Sequence, residues 1–561
     1  MGQLVASLRH LRAQITFTGP FERVSVPRQM TEPNPISAQI ESRATRLALT
    51  FILVLTALRL AVLFASPLQL YPDEAQYWLW SRTLDFGYFS KPPMIAWAIW
   101  ATTHIGGGDG EAFVRLSAPL FHAVAAIALF ATGRTLWGAW AGLAAAVVYS
   151  LMPGVQQSSF TIATDAPLLC FLSLALLAYV TLQGTEGRTR HAVGLGVALG
   201  LAMLSKYAAI YAVIGIALHL ILSREARAAW TPVRIGAAVL AFAVVLAPNL
   251  IWNATHHFAT LEHTAANADL GGRLFNPGEM LTFVGEQFGV FGPVAFLTLI
   301  VGAVLAIRRR QIGEAELLLA CWTLPALVVV TGQAFLSRAN ANWAASAYVA
   351  GSVLVAGILI QGLQGRHRKA AIAGLGGVLL IQGALAAFLL TAAAQPTVMD
   401  ELGRSNDIKR VRGWEQMSEA VIRRAEIEAV NGGLTAIAVD DRFLFNAMAY
   451  YGRDYFARPD SPPLKIWVKG KPGNQAEVEA PLTPAVGGRV LVAALEDREG
   501  RKAARIGADF QTAQSVEIVS VLLSPKCRAK DGEKPEKFDH RCRRRATLIL
   551  GEGFAPAPRP D

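Results

Sequence analysis

Two adjacent carboxylates, Asp73 and Glu74, are followed within one polar stretch by Asp85, Tyr88 and Lys91, and Lys91 stands directly before Pro92 and Pro93. A carboxylate can take a proton from an attacking hydroxyl or stabilise positive charge developing on a carbon. A lysine or arginine can hold a phosphate and offset the charge that grows on it as it departs. Further along, Asp165 precedes Ala166 and Pro167, Lys206 interrupts an apolar run, and Arg338, Asn340 and Asn342 share another polar break. His256, His257 and His263 lie with Glu262 in a longer one. Charges beside a bilayer are unfavourable without a partner or a task. These breaks are therefore where chemistry is expected.

The elements that must position them are membrane-spanning helices. Of 561 residues, 53% are hydrophobic and 17% charged, and the apolar residues fall in long runs with few charges. The runs cover about 47–66, 113–131, 139–152, 167–182, 192–204, 208–222, 235–252, 290–307, 315–331, 343–363 and 370–391. That predicts a polytopic α-helical membrane protein with about 11 transmembrane helices, at ~20 residues each with several shorter. The stretch 94–104 is too short to span and reads as an interfacial helix. The net charge of +11 does not point to nucleic acid, because the basic residues are scattered in short clusters between apolar runs. Arg134, Arg188, Arg190, Arg224, Arg227, Arg234, Arg308 to Arg310, Arg366, Arg368 and Lys369 fall in alternate loops, with fewer cations in the others. By the positive-inside rule this sets the N-terminus in the cytoplasm and the Asp73 loop outside. Residues 1–46 read as a disordered cytoplasmic tail, 47–391 as the transmembrane catalytic domain with its outer loops, and 392–561 as an external soluble α/β domain. In the last, 417–430 has helical spacing, and 435–439, 490–495 and 516–523 read as strands. A Pro/Gly-rich stretch, 459–484, separates possible halves. Cys170 and Cys321 are packing residues in apolar runs, whereas Cys527 and Cys542 can pair if their segment lies outside the cytoplasm.

This topology gathers Asp73, Glu74, Asp85, Tyr88, Lys91, Asp165, Lys206, the three histidines and Arg338 on the outer side, in a polar cavity at the membrane surface. An enzyme that takes a sugar from a lipid phosphate needs both kinds of group, open to bilayer and water. A transporter or flippase of a lipid-linked sugar is the reading of another class. It favours charges deep in spans, and Arg59 and Arg115 are its support.

Taken in order, Asp73-Glu74 after the first span, Gly87-Tyr88-Phe89-Ser90-Lys91-Pro92-Pro93, Thr164-Asp165-Ala166-Pro167 and Leu204-Ser205-Lys206 resemble the family 39-like glycosyltransferases of the GT-C class. These include the protein mannosyltransferases and the bacterial aminoarabinose and galacturonic acid transferases of lipid A and its core. The resemblance is strongest over 71–165. It implies a GT-C type fold and a bacterial inner-membrane enzyme that moves a sugar from a polyprenyl-phosphate donor to a lipid A, lipopolysaccharide or other cell-envelope acceptor on the periplasmic face, with inversion. A protein O-mannosyltransferase is the alternative within the class. Asp73 resembles the essential first-loop acid, Glu74 its acidic neighbour and Asp165 the second acid, and the resemblance implies all three as catalytic carboxylates. Lys91 and Lys206 resemble the lysines that engage the lipid phosphate, Tyr88 the aromatic residue beside them, and Arg338 is a further cation, so that these four are expected to bind the donor phosphate. In the aminoarabinose transferases the position before the first lysine is acidic and helps to hold a metal; here it is Ser90. A divalent metal ion is left open, with His256, His257 and His263 as candidate ligands.

Overall fold

Each apolar run carries helix in the computed structural model, which describes residues 35–185, 187–266, 274–309, 312–495, 501–524 and 542–557. Most of the predicted N-terminal tail lies outside the described residues. The number of spans is corrected. Among the described residues, six helices are long and apolar enough to cross a membrane: Gln39–Ala65, Glu111–Trp137, Asp165–Gln183, Pro232–Thr255, Glu314–Leu336 and Arg368–Ala394. The pair Pro277–Val290 and Pro293–Arg309, bent by 117°, raises this to seven if it counts as one span. The expectation of about 11 fails because Ala139–Ser150, Thr189–Ser205, Tyr207–Leu222 and Ala347–Gly362 are apolar but only 10–17 residues long. A hydrocarbon core of ~30 Å needs ~20 residues. Composition does not register the breaks that shorten them. Gly138 has a φ of 86°, and Lys206 is fully extended at φ −162°, ψ 134°.

The chain forms two compact units. The first comprises the described residues within Met1–Ala61, Lys91–Met94 and Ser117–Leu390. Its helices pack through small residues: a Cβ added at Gly133 would stand 2.9 Å from the Cα of Gly142, so Ser117–Trp137 and Ala139–Ser150 cross at backbone contact. The outward faces stay apolar, with Val233, Leu240 and Ile251 on Pro232–Thr255 all more than half exposed. Lipid is the medium such a face requires. The bend between Pro277–Val290 and Pro293–Arg309 turns at Gly292, φ +98°. Buried Gln382, in a π-helical stretch over Val378–Gln382, accepts from the Ala295 N–H at 3.1 Å and donates to the Phe291 carbonyl at 3.4 Å. The bend thus leaves these two buried backbone groups with partners.

The second unit comprises the described residues within Val62–Ser90, Ile95–Leu116 and Thr391–Asp561. It holds a five-stranded mixed sheet in the order β2-β1-β3-β5-β4, with β1 Ala436–Val439, β2 Leu464–Ile466, β3 Arg489–Leu495, β4 Phe510–Leu522 and β5 Arg543–Phe554. β1 pairs in parallel with β2 and β3, while β5 runs antiparallel to both β3 and β4. The predicted helix and three strands are present. β2 lies inside the Pro/Gly-rich stretch and extends the sheet, so that stretch does not divide it. One sheet face packs on Trp414–Val430 and Arg442–Tyr451 through Trp414, Met417, Leu444 and Met448. The other is filled by Trp467, Phe510 and Phe554. Helix Pro72–Ser81 of the first loop joins this unit against Arg442–Tyr451, with Trp78 edge-on to Tyr450 at 5.0 Å. Cys542 is disulfide-bonded; Cys527, its expected partner, lies outside the described residues.

Candidate active site

Pro72 opens helix Pro72–Ser81, where a missing N–H costs nothing and the fixed φ suits the first turn. Glu74, at the third position, reaches back to accept the Tyr71 N–H at 2.8 Å. The same carboxylate forms a two-pronged pair with Arg115, Nε to Oε1 at 2.9 Å and Nη2 to Oε2 at 2.7 Å. Both side chains are no more than 3% exposed. Arg115 spends its other donors on the carbonyls of Leu68 and Gln69, at 2.8 and 2.7 Å. From the far end of the chain, Tyr451 accepts the Leu70 N–H at 2.7 Å, and the Gln69 Oε1 accepts from Trp414 N–H at 2.7 Å. The segment that leads into the helix is therefore fixed on every side. Helix geometry turns Asp73 the other way. Tyr71, not Asp73, occupies the capping position, and the Asp73 carboxylate is 39% exposed, 3.7 Å from the Arg442 guanidinium. Glu74 is thus saturated and buried, and Asp73 is open. Burial sorts two neighbours of the same chemistry into a holder and a reactive candidate.

Tyr88 is buried, and its ring stacks on Trp80 at 4.8 Å. Its hydroxyl lies 3.1 Å from the carbonyls of Trp80 and Thr83 and accepts from Asp85 N–H, also at 3.1 Å. Burial pushes its pKa up to about 12. The hydroxyl is committed to the shape of the loop.

In the first unit, Asp165 begins helix Asp165–Gln183, where the helix dipole favours a negative charge. Lys206 Nζ donates to its Oδ1 at 2.8 Å, and Asn342 Nδ2 donates to Oδ2 at 3.1 Å. The pair is half-buried, with side chains 12% and 21% exposed. The extended backbone at Lys206, which ends the preceding helix, is what turns the lysine to the aspartate. A second chain of contacts fixes Asn342: Tyr348 donates to Gln287 at 2.6 Å, and Gln287 donates to the Ala341 carbonyl at 3.2 Å. Next to Lys206, Tyr207 donates to Asn249 Oδ1 at 2.9 Å and accepts from Asn253 at 3.1 Å. Arg338 is exposed just beyond helix Glu314–Leu336, and Lys91 is partly buried. His256 stacks on Trp252 at 4.1 Å and bonds its carbonyl at 2.8 Å. His257 follows it at a positive φ of 54°. Among the described residues no three His, Cys, Asp or Glu side chains group as metal ligands. The histidines do not form such a donor set, and no step is routed through a metal.

Both span arginines have structural partners. Arg59 donates to Gln156 at 3.4 Å and to the Ser150 carbonyl at 2.8 Å, and Arg115 holds Glu74. Their charges are accounted for without a translocation path. Sequence reasoning missed Arg442, and also Arg410, which donates to the Tyr71 hydroxyl. Both lie in the C-terminal third of the chain, and no local signal links them to a loop some 340 residues or more away.

Residues 90–252 match a family described as dolichyl-phosphate-mannose-protein mannosyltransferase. The chain is 34% identical over 459 residues to the lipid A galacturonosyltransferase RgtD of Rhizobium johnstonii, covering 80% of this chain and 90% of that one. The crystal structure of ArnT from Cupriavidus metallidurans in the apo state superposes with a TM-score of 0.57 at 14% identity, over 89% of this chain and 98% of that chain. The same protein bound to undecaprenyl phosphate gives 0.57 at 16%, over 91% and 99%. At such identities the structural likeness shows the fold, while the extent and identity of the RgtD match show the family. This chain belongs to the GT-C-type membrane glycosyltransferases that include the lipid A galacturonosyltransferase RgtD.

Proposed function

We propose that the protein transfers a sugar from a polyprenyl-phosphate carrier to lipid A or a related envelope glycolipid, on the periplasmic side of the inner membrane. The observation that carries this reading is the 34% identity to a lipid A galacturonosyltransferase over most of both chains. The open Asp73 carboxylate beside Arg442 supplies a group able to act on an acceptor. In the proposed step an acceptor hydroxyl attacks the anomeric carbon from the face opposite the phosphate. The new C–O bond forms as the bond to the phosphate oxygen breaks, with inversion. Asp73 takes the hydroxyl proton, and the polyprenyl phosphate leaves with the bonding pair. Lys206 and Lys91 hold the phosphate and offset its growing charge, with Arg338 as a further cation. Asp165 and Asn342 keep Lys206 in position. If the acceptor is a phosphate, Asp73 orients it instead. Glu74 and Tyr88 shape the loop. The disulfide at Cys542 favours an oxidising compartment for the C-terminal unit, in keeping with the basic residues assigned to the cytoplasmic loops.

The test is transfer from labelled polyprenyl-phosphate sugars to lipid A by the purified protein in lipid. Asp73→Asn should lower turnover by about 10²–10⁴-fold with no loss of thermal stability. Undiminished transfer would sink the role of Asp73, and transfer to protein but not to lipid A would replace the acceptor. Orientation is read separately: Asp454→Cys, at a side chain 95% exposed, should react with an impermeant maleimide added outside spheroplasts.

A further inference from the structure

An apolar groove of about 570 Å³ opens within the first unit, and neither Asp165 nor Lys206 lines it. Its walls come from Leu199 on Thr189–Ser205, Ile216 on Ile210–Leu222 and Phe242 on Pro232–Thr255. At one end stand Arg227 and Trp230. The volume is that of a site for one small molecule or chain. Its outer lip is apolar, with Val239 60% exposed, so the groove faces the hydrocarbon rather than water.

The polar end is specific. Arg227 uses one nitrogen, Nη1, on the carbonyls of Leu220 and Ile221 that close helix Ile210–Leu222. Its Nε and Nη2 make no hydrogen bond among the described residues, and the residue is exposed. The guanidinium is therefore anchored by one arm and presents the other. Exposed Arg224 is three residues away on the same short helix, Arg224–Ala228. Tryptophan beside such arginines is the usual composition at headgroup depth. Basic pockets between membrane helices take anionic lipid headgroups. A ligand that matches has one negative head and an apolar chain.

We infer that this groove binds an anionic glycerophospholipid, its phosphate on the free arm of Arg227 and one acyl chain along Leu199, Ile216 and Phe242. The groove does not depend on the proposed reaction.

The full chain, purified in mild detergent, is examined by native mass spectrometry with phosphatidylglycerol, phosphatidylcholine or undecaprenyl phosphate added. Wild type should hold one phosphatidylglycerol in preference to phosphatidylcholine. Arg227→Gln should cut that preference about five-fold, from the loss of one charge near the headgroup. Val239→Trp, which fills the lip from the lipid side, should lower occupancy by both phospholipids while sugar transfer persists. Equal binding of the two phospholipids by wild type, or no effect of either substitution, overturns the proposal. So does undecaprenyl phosphate displacing phosphatidylglycerol one for one, which would give the groove to the donor. Failure of sugar transfer with lipid binding intact would instead count against the proposed reaction alone.

Discussion

Replacing Glu74 with Gln separates a structural carboxylate from a reacting one. The substitution keeps the shape and removes the charge that Arg115 faces at 2.7 and 2.9 Å. Neither side chain has water to fall back on, since the pair is 2–3% exposed. Breaking a buried pair of this kind costs about 3–5 kcal/mol. The Gln amide can still accept the Tyr71 N–H, so the lower end applies, about 3 kcal/mol. At ~2–4 °C per kcal/mol, the melting temperature of the second unit should fall by roughly 6–12 °C. Transfer should fall with it, because the Arg115 guanidinium no longer holds the carbonyls of Leu68 and Gln69 that lead to Asp73. Glu74→Leu combined with Arg115→Met removes both charges, and its loss should be smaller than the sum of the single losses by about 1–3 kcal/mol. Thermal unfolding in detergent, followed by tryptophan fluorescence and paired with turnover at a temperature where all variants are folded, gives both readings. The reasoning is refuted if Glu74→Gln abolishes transfer and leaves the melting temperature unchanged. Glu74 would then belong to the chemistry. Strict additivity of the two sites would also refute it.

Lys206→Gln should reduce kcat/KM for the donor by roughly 10–150-fold, the loss of one charged hydrogen bond to phosphate, chiefly through KM if the lysine binds ground state and transition state alike. Gly292→Ala should destabilise the first unit by about 1–3 kcal/mol, since φ is +98° and the new Cβ would meet Gln382 at 2.5 Å; thermal melts in detergent read the loss, and an unchanged melting temperature would refute it. Acid should weaken the second unit through Asp400. Burial raises the pKa of this group, but hydrogen bonds from Arg412, Ser405 and Ser524 lower it by more, so its folded value lies below the ordinary one. A depressed folded pKa gives stability that is complete above the unfolded value of ~3.9 and is lost as pH falls through the folded one. Asp400→Asn should therefore lower the melting temperature at pH 7 and flatten its decline below pH ~4.

What the sequence revealed follows the range of the forces involved. Asp165 and Lys206 were each legible as a charge at a break between apolar runs, because those breaks are local; that the two pair was not. Helix existence was legible for the same reason. The number of spans was not, because helix length is set by single residues such as Gly138, Lys206 and Gly292, whose backbone angles an average over a window does not register. The separate roles of Asp73 and Glu74 were hidden. The two are adjacent and chemically alike, and only burial against Arg115, 41 residues on, distinguishes them. β5 was missed because it begins with three arginines, Arg543 to Arg545, and it gains its place from pairing with β3 and β4 rather than from its own pattern.

Helix Pro72–Ser81 and the sheet belong to one unit, although 381 residues separate Leu70 from the Tyr451 hydroxyl that holds it. At ~5–20 residues per second, the ribosome needs roughly 20–80 s to make the chain between them. For that time the loop with the proposed base exists without its partners Arg410, Trp414, Arg442 and Tyr451. The order of synthesis thus makes the last part of the chain a condition of assembly for the first loop. A chain cut short before Arg442 would carry all the described helices long and apolar enough to span and still lack the Arg442 and Tyr451 contacts of the first loop.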